Sequence, residues 1–189
     1  MSQVDWPLAT VWTIGHSTRV GPDFIHILKE HQIQTLIDVR SFPGSRRYPQ
    51  FNSPDLSASL ASESISYYHL PYLGGRRQAL PDSKNIAWRD ESFRGFADHM
   101  ESVEFKQAIE ELSELARKSR TAIMCAEAVW WRCHRSLIAD YLKALGVTII
   151  HLSNAKQSQI HPYTSAARIV RGRLSYKGLF PEEPGELRS

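Results

Sequence analysis

The stretch AEAVWWRCHR, residues 126–135, puts a carboxylate, two tryptophans, two arginines, a cysteine and a histidine into ten residues. An amphipathic pattern, SLIADYL, follows at once. Cations at the start of a helix oppose its dipole, which favours anions there. Breaking that local rule points to function. Three chemistries compete for the loop. In the first, Cys125, Cys133 and His134 hold a metal such as zinc, with His16 a further candidate ligand, although the spacing lacks the tight CxxC hook of structural zinc sites. In the second, Cys133 is a nucleophile. A helix N-terminus beside arginines lowers a thiol pKa, but a free cysteine is as readily a small buried hydrophobe. Phosphate-transferring cysteine loops run C-x5-R; here Trp131 stands where the arginine is needed and Arg132 comes one residue later. In the third, Glu127 is an acid–base group while arginines hold a phosphate, or else Glu127 is the salt-bridge partner of a nearby arginine.

These groups need a scaffold. Five apolar, β-branched runs recur: VWTIGHS from Val11, TLIDVRS from Thr35, ISYYHLP from Ile65, TAIMCAE from Thr121 and VTIIHLS from Val147. Near-continuous apolarity marks strands buried on both faces. Helical patterns separate them. Asp23 is expected to cap DFIHILKEHQ, and Ser53 to cap a helix with Pro54 in its first position. Two helices broken near Ser102 are expected between Ser92 and Ser119, and HRSLIADYLKAL is expected to stop at Gly146. Alternation of strand and helix predicts a single α/β domain: a mostly parallel five-stranded sheet with helices on both faces, a Rossmann-like three-layer arrangement. The predicted division is an N-terminal extension over 1–10, the α/β domain over 11–163, and a basic C-terminal segment over 164–189 ending in a mobile Pro/Glu tail.

Ligands of such sheets bind beyond the carboxyl ends of the strands. His16 and Ser17 follow the first strand; Asp38 and Arg40 end the second, with Arg46 and Arg47 beyond; Gly74, Gly75 and Arg76 follow the third. Each has a plainer reading: His16 and Ser17 as turn caps, Asp38–Arg40 as a structural ion pair, the loop arginines as solvated charges. The segments from Phe42 to Asn52 and from Gly74 to Asp90 read as long functional loops. Trp130 and Trp131 are expected to be exposed and able to stack on a base or sugar.

The 189 residues, 42% hydrophobic and 23% charged, suit one globular domain with a real core. No apolar run is long enough to span a bilayer, and the N-terminus lacks the signal-peptide pattern. No membrane association is therefore expected. Two cysteines make no disulfide framework, so a reduced, cytoplasmic protein is expected. A net charge of +3 permits phosphate-bearing partners without requiring them.

The ordered series TIGHSTR, LIDVRSFPGSRRYPQFN, YYHLPYLGGRR, FRGFADHM and MCAEAVWWRCHRSLIADYL resembles the bacterial and archaeal proteins grouped as domain of unknown function family 488, from about Thr13 to about His161. The resemblance implies an α/β fold and points to the motif residues already named, Ser45, Phe51 and Cys125 among them; it implies no reaction. The sequence-based expectation is an anion pocket at the carboxyl edge of the sheet. Glu127, Asp38, His16 and Cys133 are the catalytic candidates. Ser17, Arg40, Arg46, Arg47, Gly74, Gly75, His134 and Arg135 are the ligand-binding ones. The expected partner is a phosphate-bearing small molecule, a nucleotide, or nucleic acid. A non-catalytic nucleic-acid-binding module and a zinc protein using Cys125, Cys133 and His134 are the alternatives; no cofactor is legible, and whether the chain is an enzyme is left open.

Overall fold

A computed structural model describes residues 9–178. Strand and helix alternate through β1 (Thr10–Gly15), α1 (Gly21–Glu30), β2 (Thr35–Asp38), α2 (Ser53–Ala61), β3 (Ser66–His69), α3 (Glu91–His99), α4 (Val103–Lys118), β4 (Thr121–Cys125), α5 (Arg135–Ala144) and β5 (Thr148–Leu152). Then come β6 (Ser158–Ile160) and a hairpin of β7 (Arg168–Val170) and β8 (Arg173–Ser175). Among the described residues the main sheet has six strands in the order β3-β2-β4-β1-β5-β6. The first five are parallel and β6 is antiparallel to β5. All five predicted strands form. The sixth was not predicted: it is three exposed residues, SQI, on a sheet edge, without the apolar run that burial writes into a sequence.

Side chains alternate across the sheet, and each face builds its own core. Trp12, Ile14, Leu36 and Met124 pack with Phe24, Leu28, Leu56 and Leu60 of α1 and α2. Val11, Ile37, Ile123 and Ile149 pack on the other side with Phe96, Phe105, Leu112 and Leu137 of α3, α4 and α5. This is the expected three-layer arrangement. The strand order puts β2 beside β4, and their onward connections leave in opposite directions, to β3 and to β5. Their carboxyl ends therefore flank a topological switch point, where open α/β sheets leave a crevice.

Local details shift by a residue or two. The predicted break in the long helix falls where expected, with the Ser102 hydroxyl accepting from Phe105 N. Asp23 lies in the first turn of α1 rather than capping it, because the helix begins earlier, at Gly21. Asn52, not Ser53, precedes α2, and it makes no side-chain cap. Its Oδ1 instead accepts from Ser45 N at 2.6 Å, closing the loop after β2.

The packed unit runs past residue 163. Ala166, Ala167 and Tyr176 join the core on the α5 side. Thr164 and Tyr176 donate to the carboxylate of Asp140, which is fully buried. Residues 1–8 of the predicted N-terminal extension and the Pro/Glu tail, within 179–189, lie outside the described residues. A chain ending at residue 163 would leave a buried carboxylate short of three donors. It is expected to lose about 3 kcal/mol or more of unfolding free energy. Urea unfolding measures this, and an unchanged midpoint would mean that the last segment is an accessory to the domain.

Candidate metal centre

Cys125 is the last residue of β4, and Cys133 and His134 immediately precede α5. The fold folds the eight-residue step between them back on itself, so that one ligand atom from each of the three lies within 4.8 Å of the others. His134 Nδ1 is 3.6 Å from Cys133 Sγ and 3.9 Å from Cys125 Sγ. A tetrahedral zinc ion with ordinary Zn–S and Zn–N bonds would hold sulfur and nitrogen about 3.6 Å apart. His134 Nε2 donates to the carbonyl of Val39 at 3.0 Å. In the neutral ring this leaves Nδ1 with its lone pair facing the sulfurs, the orientation that a backbone carbonyl commonly imposes on a metal-binding imidazole.

Arg135 holds the sulfur of Cys133. Its backbone N–H and its Nε–H both point at Sγ, at 3.5 and 3.4 Å. Burial pushes both thiols up. At Cys133 the hydrogen bond from Cys125 and the neighbouring His134 and Arg135 outweigh it, and the pKa falls well below the ordinary thiol value. Cys125, the donor in that bond, is held well above it, with burial adding to the effect. Of the two, Cys133 is therefore the more acidic thiol, and the thiolate is the form that binds a metal.

The three side chains form one wall of a cleft of about 420 Å³ at the switch point. Ser41 and Phe42 from the loop after β2, Gly75 and Arg76 from the loop after β3, and Asp90, Ser92 and Phe93 at the start of α3 form the others. Glu127 and Arg132 lie on its rim, both exposed. Gly75 is required by closeness rather than by a turn: a Cβ there would lie 2.3 Å from His134 Nδ1. Gly74 fits the same way against Ser41, with 2.4 Å to its Oγ. Of the residues lining the cleft, Phe42 belongs to the first of the two long loops and Gly75, Arg76 and Asp90 to the second. Nothing in the pattern singled out Ser92 or Phe93, which reach the cleft because Asp90 caps α3 there, accepting from both their backbone N–H groups.

The structure does not bring all the candidates together. Asp38 and Arg40 point to the α1–α2 face and form a closed ion pair, with Arg40 Nε 2.9 and 3.0 Å from the two carboxylate oxygens and the Tyr67 hydroxyl 2.7 Å from one of them. Arg40 also donates to the carbonyl of Phe51 and touches the cleft only at its edge. His16 stacks on Phe51 at 4.2 Å, donates from Nδ1 to the Ser17 carbonyl and presents Nε2 to Arg40 at 3.3 Å. Ser17 holds a left-handed backbone, φ 51°, and its N–H donates to Ala126 O. Arg46 and Arg47 are exposed on the loop before α2, away from the cleft. Arg135, expected to hold an anion, lies behind the Cys125, Cys133 and His134 cluster instead, 1% exposed, donating to Glu127 O at 2.6 Å. Trp131 is exposed as expected. Trp130 is not: it lies flat on His151, ring centroids 4.3 Å apart and 5° between the planes.

Against known proteins, the family description "Domain of unknown function DUF488" matches residues 22–142, a span that includes every residue lining the cleft. No curated protein and no solved structure matches the chain.

Two buried imidazoles make stability depend on pH. Burial lowers the pKa of His16 to about 4, with Arg40 adding to the effect against the Ser17 bond. Burial and the neighbouring His161 lower that of His151 to about 2. Both rings are neutral in the folded chain and protonate near pH 6.5 once it unfolds. Between pH 6.5 and about 4 the unfolded chain binds more protons, so stability rises with pH across this window and is lost as pH falls. His16→Asn, which keeps a donor toward Ser17, is expected to flatten part of that slope in urea unfolding. A variant with the wild-type slope would show that His16 takes up its proton in place.

Proposed function

Because the chain belongs to the DUF488 family, whose description names no reaction, we propose a function from its geometry: Cys125, Cys133 and His134 bind a thiophilic divalent cation, zinc by preference, whose remaining position faces a cleft for a phosphate-bearing ligand. The observation that carries this reading is the convergence of two sulfurs and an imidazole nitrogen whose far side is already bonded to Val39 O. Soft sulfur ligands with one imidazole select zinc among common divalent ions. Three protein ligands, rather than four, are the pattern of sites that keep a position open for water or substrate. A cation there would polarise a phosphoryl oxygen or lower the pKa of a bound water. Glu127, on the same rim, is the group that would take the proton, and Arg76 and Arg132 supply the charge that would hold an anion. Phe42, 71% exposed under the Arg76 guanidinium at 5.6 Å, offers a face for a base.

Elemental analysis of untagged protein purified without chelator tests the metal. About one zinc per chain is expected, lost in Cys133→Ser and weakened in Gly75→Ala, whose methyl group would push His134 aside. Metal-free wild-type protein that takes up none would overturn the reading. The ligand is tested with a mononucleotide and a single-stranded oligonucleotide at several salt concentrations. Arg76→Ala and Arg132→Ala are expected to weaken binding, and each to lower the salt slope by about one. Affinities indifferent to both variants would remove the phosphate from the proposal and leave the metal.

A further inference from the structure

Behind the metal ligands five side chains form an unbroken hydrogen-bonded chain, and none of them lines the cleft. Arg135 and Asp140 of α5 are its ends. Thr13 of β1, His151 of β5 and His161, just after β6, lie between them. None of the five is more than 2% exposed. Arg135 Nη1 is 3.2 Å from Thr13 Oγ1, Thr13 Oγ1 is 2.7 Å from His151 Nδ1, His151 Nε2 is 2.8 Å from His161 Nδ1, and His161 Nε2 is 3.0 Å from Asp140 Oδ1.

The direction of every bond follows from the two ends. A guanidinium only donates, so Thr13 accepts from Arg135. The carboxylate of Asp140 meets donors only: His161 Nε2, the N–H and hydroxyl of Thr164, and the hydroxyl of Tyr176. His161 therefore carries its proton on Nε2 and offers Nδ1 to His151 Nε2–H. His151 in turn offers Nδ1 to the Thr13 hydroxyl. With both rings neutral, reversing any single bond would set donor against donor or acceptor against acceptor. Four bonds thus run head to tail from a buried cation to a buried anion. Among the described residues Arg135 makes no direct ion pair with a carboxylate.

The chain also grips the loop that joins the two thiols. At one end Arg135 donates to the carbonyls of Glu127 and Ala128 and to Cys133 Sγ. In the middle, the ring of His151 carries Trp130 flat against it. The steps on either side of the loop are fixed from below by the same relay.

We propose that Thr13, His151, His161 and Asp140 are positioning residues of the metal centre, acting through Arg135 to fix the sulfur of Cys133 and the loop that returns from Cys125. The role rests on the metal reading above. Residues behind metal ligands typically change metal affinity about 10- to 100-fold.

Thr13→Val removes the hydroxyl that joins Arg135 to His151 and Thr13→Ser keeps it. Zinc affinity of the full chain is measured by competition with a chromophoric chelator, and ligand geometry by the absorption bands of the cobalt(II) form. Thr13→Val is expected to bind zinc about 10- to 100-fold more weakly, with displaced cobalt bands, and Thr13→Ser to restore both. A wild type that takes up no zinc overturns the metal reading, and the positioning role with it. Zinc binding by the wild type with equal affinity and unchanged bands in Thr13→Val overturns the positioning role alone, even if the metal-free variant melts at a lower temperature. Ring ¹⁵N spectra of the wild type need no variant: both His151 and His161 are expected as the Nε2–H tautomer, and an Nδ1–H tautomer at either would overturn the chain.

Discussion

The guanidinium of Arg135 is sealed inside an α/β core, and an uncompensated charge there would cost more than packing can return. It persists because its donors have acceptors: Thr13 on β1, the carbonyls of Glu127 and Ala128, and the sulfur of Cys133. Those partners belong to three parts of the structure: β1, the loop after β4 and the turn before α5. The end of β1, the exit of β4 and the start of α5 are therefore locked to one another through a single planar group. Gly15 belongs to the same constraint. A Cβ on it would lie 1.9 Å from the Glu127 carbonyl and 2.9 Å from an Arg135 nitrogen, so only a glycine lets the strand end come this close.

The alternation of the sheet then divides the chemistry. In LIDVR, Asp38 and Arg40 turn to the α1–α2 face while Ile37 and Val39 turn to the other. The side chains that look reactive are consumed in an ion pair braced by Tyr67, and burial with the nearby carboxylate raises the Tyr67 pKa to about 12, so its hydroxyl stays a donor. What the end of β2 contributes to the Cys125, Cys133 and His134 cluster is backbone. The carbonyl of Val39 lies in the plane of the sheet, reaches His134 Nε2 and decides which ring nitrogen faces the sulfurs.

What the sequence disclosed follows the same physics. Burial writes apolar runs, so five strands and the helix periodicity were legible, whereas β6, exposed on an edge, was not. Cys125, Cys133 and His134 were legible because they lie close together in sequence. Their convergence was not, since it depends on the turn between β4 and α5. Pooling His16, Asp38 and Arg40 with them assumed that residues at the same strand ends share a face, which a period of two forbids for half of them. Thr13 and His151 are 138 residues apart, and His151 stands within an apolar strand; no local pattern marks either as part of a relay. Arg135 was singled out because a cation at a helix start breaks a rule, and its surroundings, not solvent or ligand, account for the break.

The missing CxxC hook is itself informative once the fold is known. In a hook, the metal organises a short loop that has little structure of its own, and metal binding is folding. Here Cys125 ends a central strand and Cys133 and His134 abut a helix whose first residue is anchored in the core. These three side chains are positioned by the sheet, by the Val39 carbonyl and by Arg135. A site organised in advance by the scaffold can leave one position free without losing its shape. That is the condition for chemistry at a metal rather than for a structural staple. In the proposed site, that free position would open on the switch-point cleft that Glu127 also lines.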